Sequence, residues 1–126
     1  MAKKISISPA EWEVMQPLWR RAPLELSELI AGLPQDRPRS HQIIRTMLLR
    51  LEKKGAVTVD RSEKNFKYSP AVSQETCVSE EVSHFLSRVF DGSASGLVLS
   101  LAKSGQLSKK ERAEILHIIE SIEEEE

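Results

Sequence analysis

The sequence predicts a mainly α protein with one small β-hairpin: an N-terminal winged helix-turn-helix followed by a helical C-terminal half. Three observations point there. Before residue 56 three helix signals follow one another, and two short strand-like runs, AVTVD at 56–60 and NFKYS at 65–69, come next. Beyond residue 72, three apolar stripes recur at helical spacing. Charge divides at the same place. Residues 1–72 hold 13 Lys/Arg against 8 Asp/Glu and residues 73–126 hold 5 against 11, although the whole chain sums to −1. The expected domains are therefore 1–72 and 73–126.

SPAE at 8–11 is a helix start: Ser8 suits the cap, Pro9 the first helical position and Glu11 the capping-box position. Trp12, Met15 and Trp19 follow at helical spacing, with Val14 and Leu18 beside them, and are read as core. Pro17 removes a hydrogen bond to the Glu13 carbonyl, so a kink or a short, partly irregular helix is expected. Leu26, Leu29, Ile30 and Leu33 form a short amphipathic helix. PQDRPR at 34–39 is a loop. Ser40 caps a third helix that Gly55 ends. RSEK is the hairpin tip, and Asn65 is the candidate left-handed turn residue.

The order helix, helix, helix, two-stranded hairpin is that of a winged helix-turn-helix domain, whose third helix enters the DNA major groove while the hairpin reaches the backbone. At about 100° per residue, Ile44, Met47, Leu48 and Leu51 share one face of the third helix, and Gln42, Thr46, Arg50 and Lys53 the other. The outward line carries donors and acceptors suited to base edges and phosphates. Leu49 also points outward, with packing under the wing as one possible place for it. Within 37–67 stand nine basic residues (Arg37, Arg39, Arg45, Arg50, Lys53, Lys54, Arg61, Lys64, Lys67) and three acids (Glu52, Asp60, Glu63), a local +6. Such a footprint suits a polyanion; a solvated surface is the competing reading.

The fragments AEWEVM at 10–15, IIRTMLLRLEKKGAV at 43–57 and FKYSP at 66–70 resemble the penicillinase-repressor (BlaI/MecI/CopY) family. FLSRVFDGSASGLVLSLAKSGQLSKKE at 85–111 is similar to that family's C-terminal domain. The resemblance implies a cytoplasmic homodimer that represses transcription from a pseudo-palindromic double-stranded DNA operator. It implies an N-terminal winged helix and a C-terminal three-helix dimerisation domain. Family contact positions fall on Gln42, Ile43, Thr46 and Arg50, with wing contacts near Lys64 and Lys67. Ser40, His41 and Lys53 complete the expected DNA-binding set. The family's frequent Ser-Pro-Lys-Thr start is here Ser40-His41-Gln42-Ile43, so the resemblance carries over the mode of binding but not the half-site sequence. Gln suits adenine, and Ile can only touch a thymine methyl.

The C-terminal stripes support dimerisation on physical grounds. Val78, Val82, Phe85, Leu86, Val89 and Phe90 form one, Leu97, Val98 and Leu101 a second, and Ile115, Ile118, Ile119 and Ile122 a third. A unit this small buries too little surface alone, and pairing two copies would cover the stripes. Val82, Phe85, Leu86, Val89, Leu97, Leu101, Ile115 and Ile119 are the expected dimerisation residues. The acidic tail EEEE at 123–126 reads as a solvated helix end. In the penicillinase branch the repressor is cut at an Asn-Phe bond in this domain. The aligned bond here is Ser100–Leu101, the candidate cleavage site. Both residues have changed, so either a differently tuned, sensor-linked protease or another route of release is expected.

Other chemistry finds little support. No apolar run reaches the ~18 residues of a membrane span, and MAKKISISPAEW lacks the apolar core of a signal peptide. The single cysteine, Cys77, fits a reducing compartment, and the cytoplasm is the expected location. His41, His84 and His117 lack metal-ligand spacing, and the CxC pairs of the family's copper-responsive branch are missing, so no metal or cofactor is expected. Cys77 is read as packing, with a thiol switch as the alternative. No nucleophile elbow, phosphate loop or carboxylate pair suggests an enzyme. The competing function is a winged helix used as a protein-interaction module without DNA binding.

Overall fold

The first helix, α1, spans Pro9–Arg20 in the computed structural model of the chain, which describes residues 5–36 and 39–122. Arg37, the MAKK start and the acidic tail at 123–126 lie outside the described residues. The helix begins as expected: Ser8 Oγ accepts the Glu11 N–H at 3.2 Å, and Glu11 Oε1 accepts the Ser8 N–H at 3.0 Å. It then runs through Pro17 as one element. The proline forfeits one rung, but its ring is buried and lies against Gly32, where an added Cβ would meet Pro17 Cβ at 3.3 Å. Packing offsets the lost hydrogen bond.

Val14, Met15 and Leu18 are fully buried, while Trp12 and Trp19 flank this core, edge to face at 5.4 Å. Trp19 Nε1 donates to the Val72 carbonyl at 3.0 Å. Next come β1 (Leu24–Glu25) and α2 (Leu26–Ala31), and then α3 (His41–Lys54). Leu29, Leu33, Ile44, Leu48 and Leu51 meet the α1 residues in one cluster that also takes in Val57 and Tyr68. Truncating a buried leucine such as Leu48 to Ala would cost about 2–5 kcal/mol.

The hairpin consists of β2 (Val57–Asp60) and β3 (Lys67–Pro70), antiparallel with Val59 opposite Tyr68. The sheet it belongs to has a third strand. Leu24 and Glu25 pair with Tyr68 and Lys67, giving a three-stranded sheet in the order β1-β3-β2. A two-residue strand is too short to show alternation, which is why the sequence pattern does not reveal it. Nor is Asn65 left-handed: Asp91 is the only non-glycine with positive φ among the described residues. The tip turns instead on Asp60, whose Oδ1 accepts the Ser62 N–H at 2.9 Å. Gly55 does end α3 with φ +86°, where a side chain would be strained.

Three further helices follow: α4 (Gln74–Phe90), α5 (Ala94–Lys103) and α6 (Lys109–Ser121). The chain divides into two units between Ser79 and Glu80, inside α4. The first unit thus takes in Val72 and the buried Cys77. In the second, Ser93 caps α5, and Ser108 with Glu111 forms a capping box on α6. α5 and α6 contain no fully buried residue, and the helices make little contact with one another.

Candidate nucleic-acid interface

The outward face of α3 is set by what its inward face buries. Ile44, Leu48 and Leu51 are at most 1% exposed, with Met47 half-buried beside them. Gln42, Thr46, Arg50 and Lys53 are all exposed, as the periodicity requires. His41 and Ile43 are exposed at the N-terminal end. Leu49 is 50% exposed and stands on the same outward face. Ser40 is occupied by its own helix, its Oγ accepting the Ile43 N–H at 3.1 Å. Thr46 Oγ1 donates to the Gln42 carbonyl at 2.9 Å, which leaves its lone pairs and methyl for an outside group.

Beneath this face lies one buried acid that sequence reasoning treats only as a cap. Glu11 is fully buried. Its Oε1 accepts from Lys54 Nζ at 2.5 Å, and Lys54 also donates to the Ser6 carbonyl at 2.8 Å. Arg50 Nη1 lies 3.6 Å from Glu11 Oε2, beyond hydrogen-bond range. Burial pushes the Glu11 pKa up, but the Lys54 ammonium and the Ser8 donors outweigh it and leave the carboxyl below its ordinary value.

The basic footprint is therefore smaller at the surface than the charge count implies. Lys54 turns inward to Glu11, and Arg39 binds Glu13 at 2.8 Å with only 13% of its side chain exposed. Arg61 makes a two-pronged pair with Glu52 at 2.7 and 2.8 Å and lies over the Phe66 ring at 5.4 Å. That hydrogen-bonded guanidinium holds the Glu52 carboxyl below its usual range. Arg45, Lys53 and Lys64 have no ion pair among the described residues. Lys67, half-buried on β3, sits 3.5 Å from Glu63.

A groove of about 340 Å³ runs between the N-terminal end of α3 and the wing. His41, Arg45 and Lys64 line it, with Ser27, Glu25, Phe66 and Tyr68. It brings His41 and Lys64, both in the expected DNA-binding set, to one place with Arg45, which was counted only in the basic footprint, and adds Ser27 and Phe66, which were not expected. Arg45 carried a usable signal: it is four residues from His41 and so shares its side of the helix.

In the second unit, Phe85, Leu86, Leu97, Leu101 and Ile115 are half-buried, while Val82, Val89 and Ile119 are exposed. Phe85 and Phe90 pack edge to face at 5.7 Å. Ser100 and Leu101 lie inside α5, Ser100 exposed and its carbonyl accepting the Ser104 N–H at 3.0 Å. No group of three or more His, Cys, Asp or Glu side chains among the described residues could hold a metal ion. No described helix is long and apolar enough to cross a membrane.

Three helices, a wing and an exposed basic outer face on the third helix define a winged helix-turn-helix protein. The family model described as Penicillinase repressor matches residues 7–121. The chain is 34% identical over 120 residues to the penicillinase repressor of Bacillus licheniformis, covering 95% of this chain and 94% of that protein. It is 31% identical over 117 residues to the methicillin resistance regulatory protein MecI of Mammaliicoccus sciuri, covering 93% and 95%. Among solved structures, the DNA-binding domain of the repressor BlaI matches with 38% identity and a TM-score of 0.51, over 59% of this chain and 90% of that one. The chain belongs to the penicillinase repressor family, a family of transcriptional repressors and not of enzymes.

Proposed function

We propose that this chain is a homodimeric, sequence-specific DNA-binding repressor of the kind that regulates beta-lactam resistance genes. The observation that carries the reading is the outer face of α3, where Gln42, Thr46, Arg50 and Lys53 stand exposed in a repressor-family chain. Side chains of this kind hydrogen-bond base edges and neutralise phosphates. Residues 1–72 act as the DNA-binding domain, with Ser40, His41, Gln42, Ile43, Thr46, Arg50 and Lys53 of the third helix and Lys64 and Lys67 of the wing against DNA.

Residues 73–126 pair two copies through Val82, Phe85, Leu86, Val89, Leu97, Leu101, Ile115 and Ile119. Support comes from the exposure of Val82, Val89 and Ile119 and from the scant contact among α4, α5 and α6, which leaves apolar stripes for a partner. The protein works in the cytoplasm, where its DNA is. Its inducing signal acts either through a sensor-linked protease at Ser100–Leu101 or, as we favour, by a route that leaves the chain intact.

A gel-shift assay with the chain and its gene's own upstream region tests the reading. Arg50→Ala should weaken binding far more than Lys103→Ala in α5. Equal effects would mean that α3 is not the contact helix. Absence of any shift would favour a protein-docking role, which the exposed Ile43 and Leu49 would then serve.

A further inference from the structure

The first unit hides its apolar side chains well, and the exceptions cluster. Among its described residues the exposed large hydrophobics are Ile43 at 59%, Leu49 at 50%, Phe66 at 40% and Val78 at 42%. Three of the four belong to α3 or the wing. Leu49 is central to the outer face: it lies within about 20° of Gln42 and about 40° of Lys53 around the helix axis. Ile43 lies on the far flank, beside Arg50. A helix meant only to present charge and hydrogen bonds gains nothing from two bare aliphatic side chains amid Gln42, Thr46, Arg50 and Lys53. In the major groove, the one apolar group a base pair offers is the thymine 5-methyl.

We propose that Leu49 and Ile43 are specificity-determining residues that read two thymine methyls in each operator half-site. The inference rests on the DNA-binding reading and adds to it what part of the sequence is read, and by which residues. The two side chains are six residues apart, about 9 Å along the helix. They also stand about 120° apart around the helix axis, so they meet two different base pairs, with the thymines on the same strand or on opposite strands. Neither side chain supports the core, since the inward face is filled by Ile44, Leu48 and Leu51. Alanine at either position therefore changes the surface without removing core packing.

The test starts from a pool of randomised DNA duplexes. The full chain selects its preferred duplex, and each thymine in that duplex is then replaced singly by deoxyuridine, which differs only in lacking the 5-methyl. At two positions per half-site, affinity should fall about fourfold, the worth of one buried methyl. Leu49→Ala should abolish the effect at one position and Ile43→Ala at the other. Full indifference to deoxyuridine by a chain that still selects a duplex would overturn this inference and leave the DNA-binding reading standing. So would deoxyuridine penalties that both variants retain. A chain that selects no duplex would overturn both readings.

Discussion

Lys54, in the last turn of α3, donates its ammonium to the carboxylate of Glu11, in the first turn of α1, across 43 residues of sequence. The same carboxylate closes the α1 capping box and lies under Arg50. One buried acid thus joins the start of the fold to the end of the helix proposed to meet DNA.

The pair is asymmetric, and its variants should be too. Glu11 is fully buried, whereas 31% of the Lys54 side chain is exposed. Lys54→Met leaves a carboxylate that cannot reach water and should cost about 3 kcal/mol. Glu11→Gln leaves an ammonium that can turn outward, and should cost about 1–2 kcal/mol. Urea unfolding of the two variants checks the order; a larger loss for Glu11→Gln would contradict it.

Acid should expose the same pair. The folded Glu11 pKa lies below its ordinary 4.5 because Lys54 and Ser8 outweigh burial. A depressed carboxylate pKa contributes stability that is present above the unfolded value and lost as pH falls through the folded one. Arg50 and Lys54 are the cations that face it. The stability gap between the natural chain and Glu11→Gln should therefore be full above about pH 4.5 and narrow below it. Denaturant midpoints measured down the acid limb report the gap, and widening toward acid would contradict the assignment.

Much of this is legible in the sequence, for physical reasons. The buried and exposed faces of α3 follow from a period of about 3.6 residues, and Ser8, Glu11, Ser40 and Gly55 mark helix ends by local chemistry. What stays hidden depends on chain segments that meet only after folding. Glu11 reads as a cap and is a buried counter-ion as well. Arg39 and Lys54 read as part of a DNA-facing footprint and are drawn to Glu13 and Glu11. The two residues of β1 are too few to carry a period, and the wing turns on Asp60 although Asn65 is the better candidate by residue type. Leu49, unplaced by pattern alone, has a definite place on the outer face of α3.

Tethering should matter as much as contact. A chain ended after Ser79 keeps Val72 against Trp19 and the buried Cys77, and so should fold. It should bind the same sequence much more weakly, because the second half-site loses its effective concentration. Footprinting of the full chain should show two half-sites about 10–10.5 base pairs apart or a multiple of that. Undiminished affinity of the shortened chain would contradict the dimer proposal.

Proteolysis at Ser100–Leu101 would have to open α5, whose backbone at Ser100 is hydrogen-bonded to Ser104. Local opening of that helix is needed before any protease can hold the bond in extended form. Mass spectrometry of the protein from cells challenged with a cell-wall antibiotic should find it intact while its target genes are derepressed. Fragments ending at Ser100 would show that cleavage is the switch.

The central claim is that the exposed face of α3 and the wing meet a DNA backbone, and the salt dependence of binding tests it most directly. If each protomer neutralises about four phosphates, a dimer neutralises about eight, and log K against log salt should fall with a slope of about −7. Replacing one phosphate-binding lysine, and so altering both protomers of the dimer, should make that slope shallower by about two. A slope near zero would contradict the account.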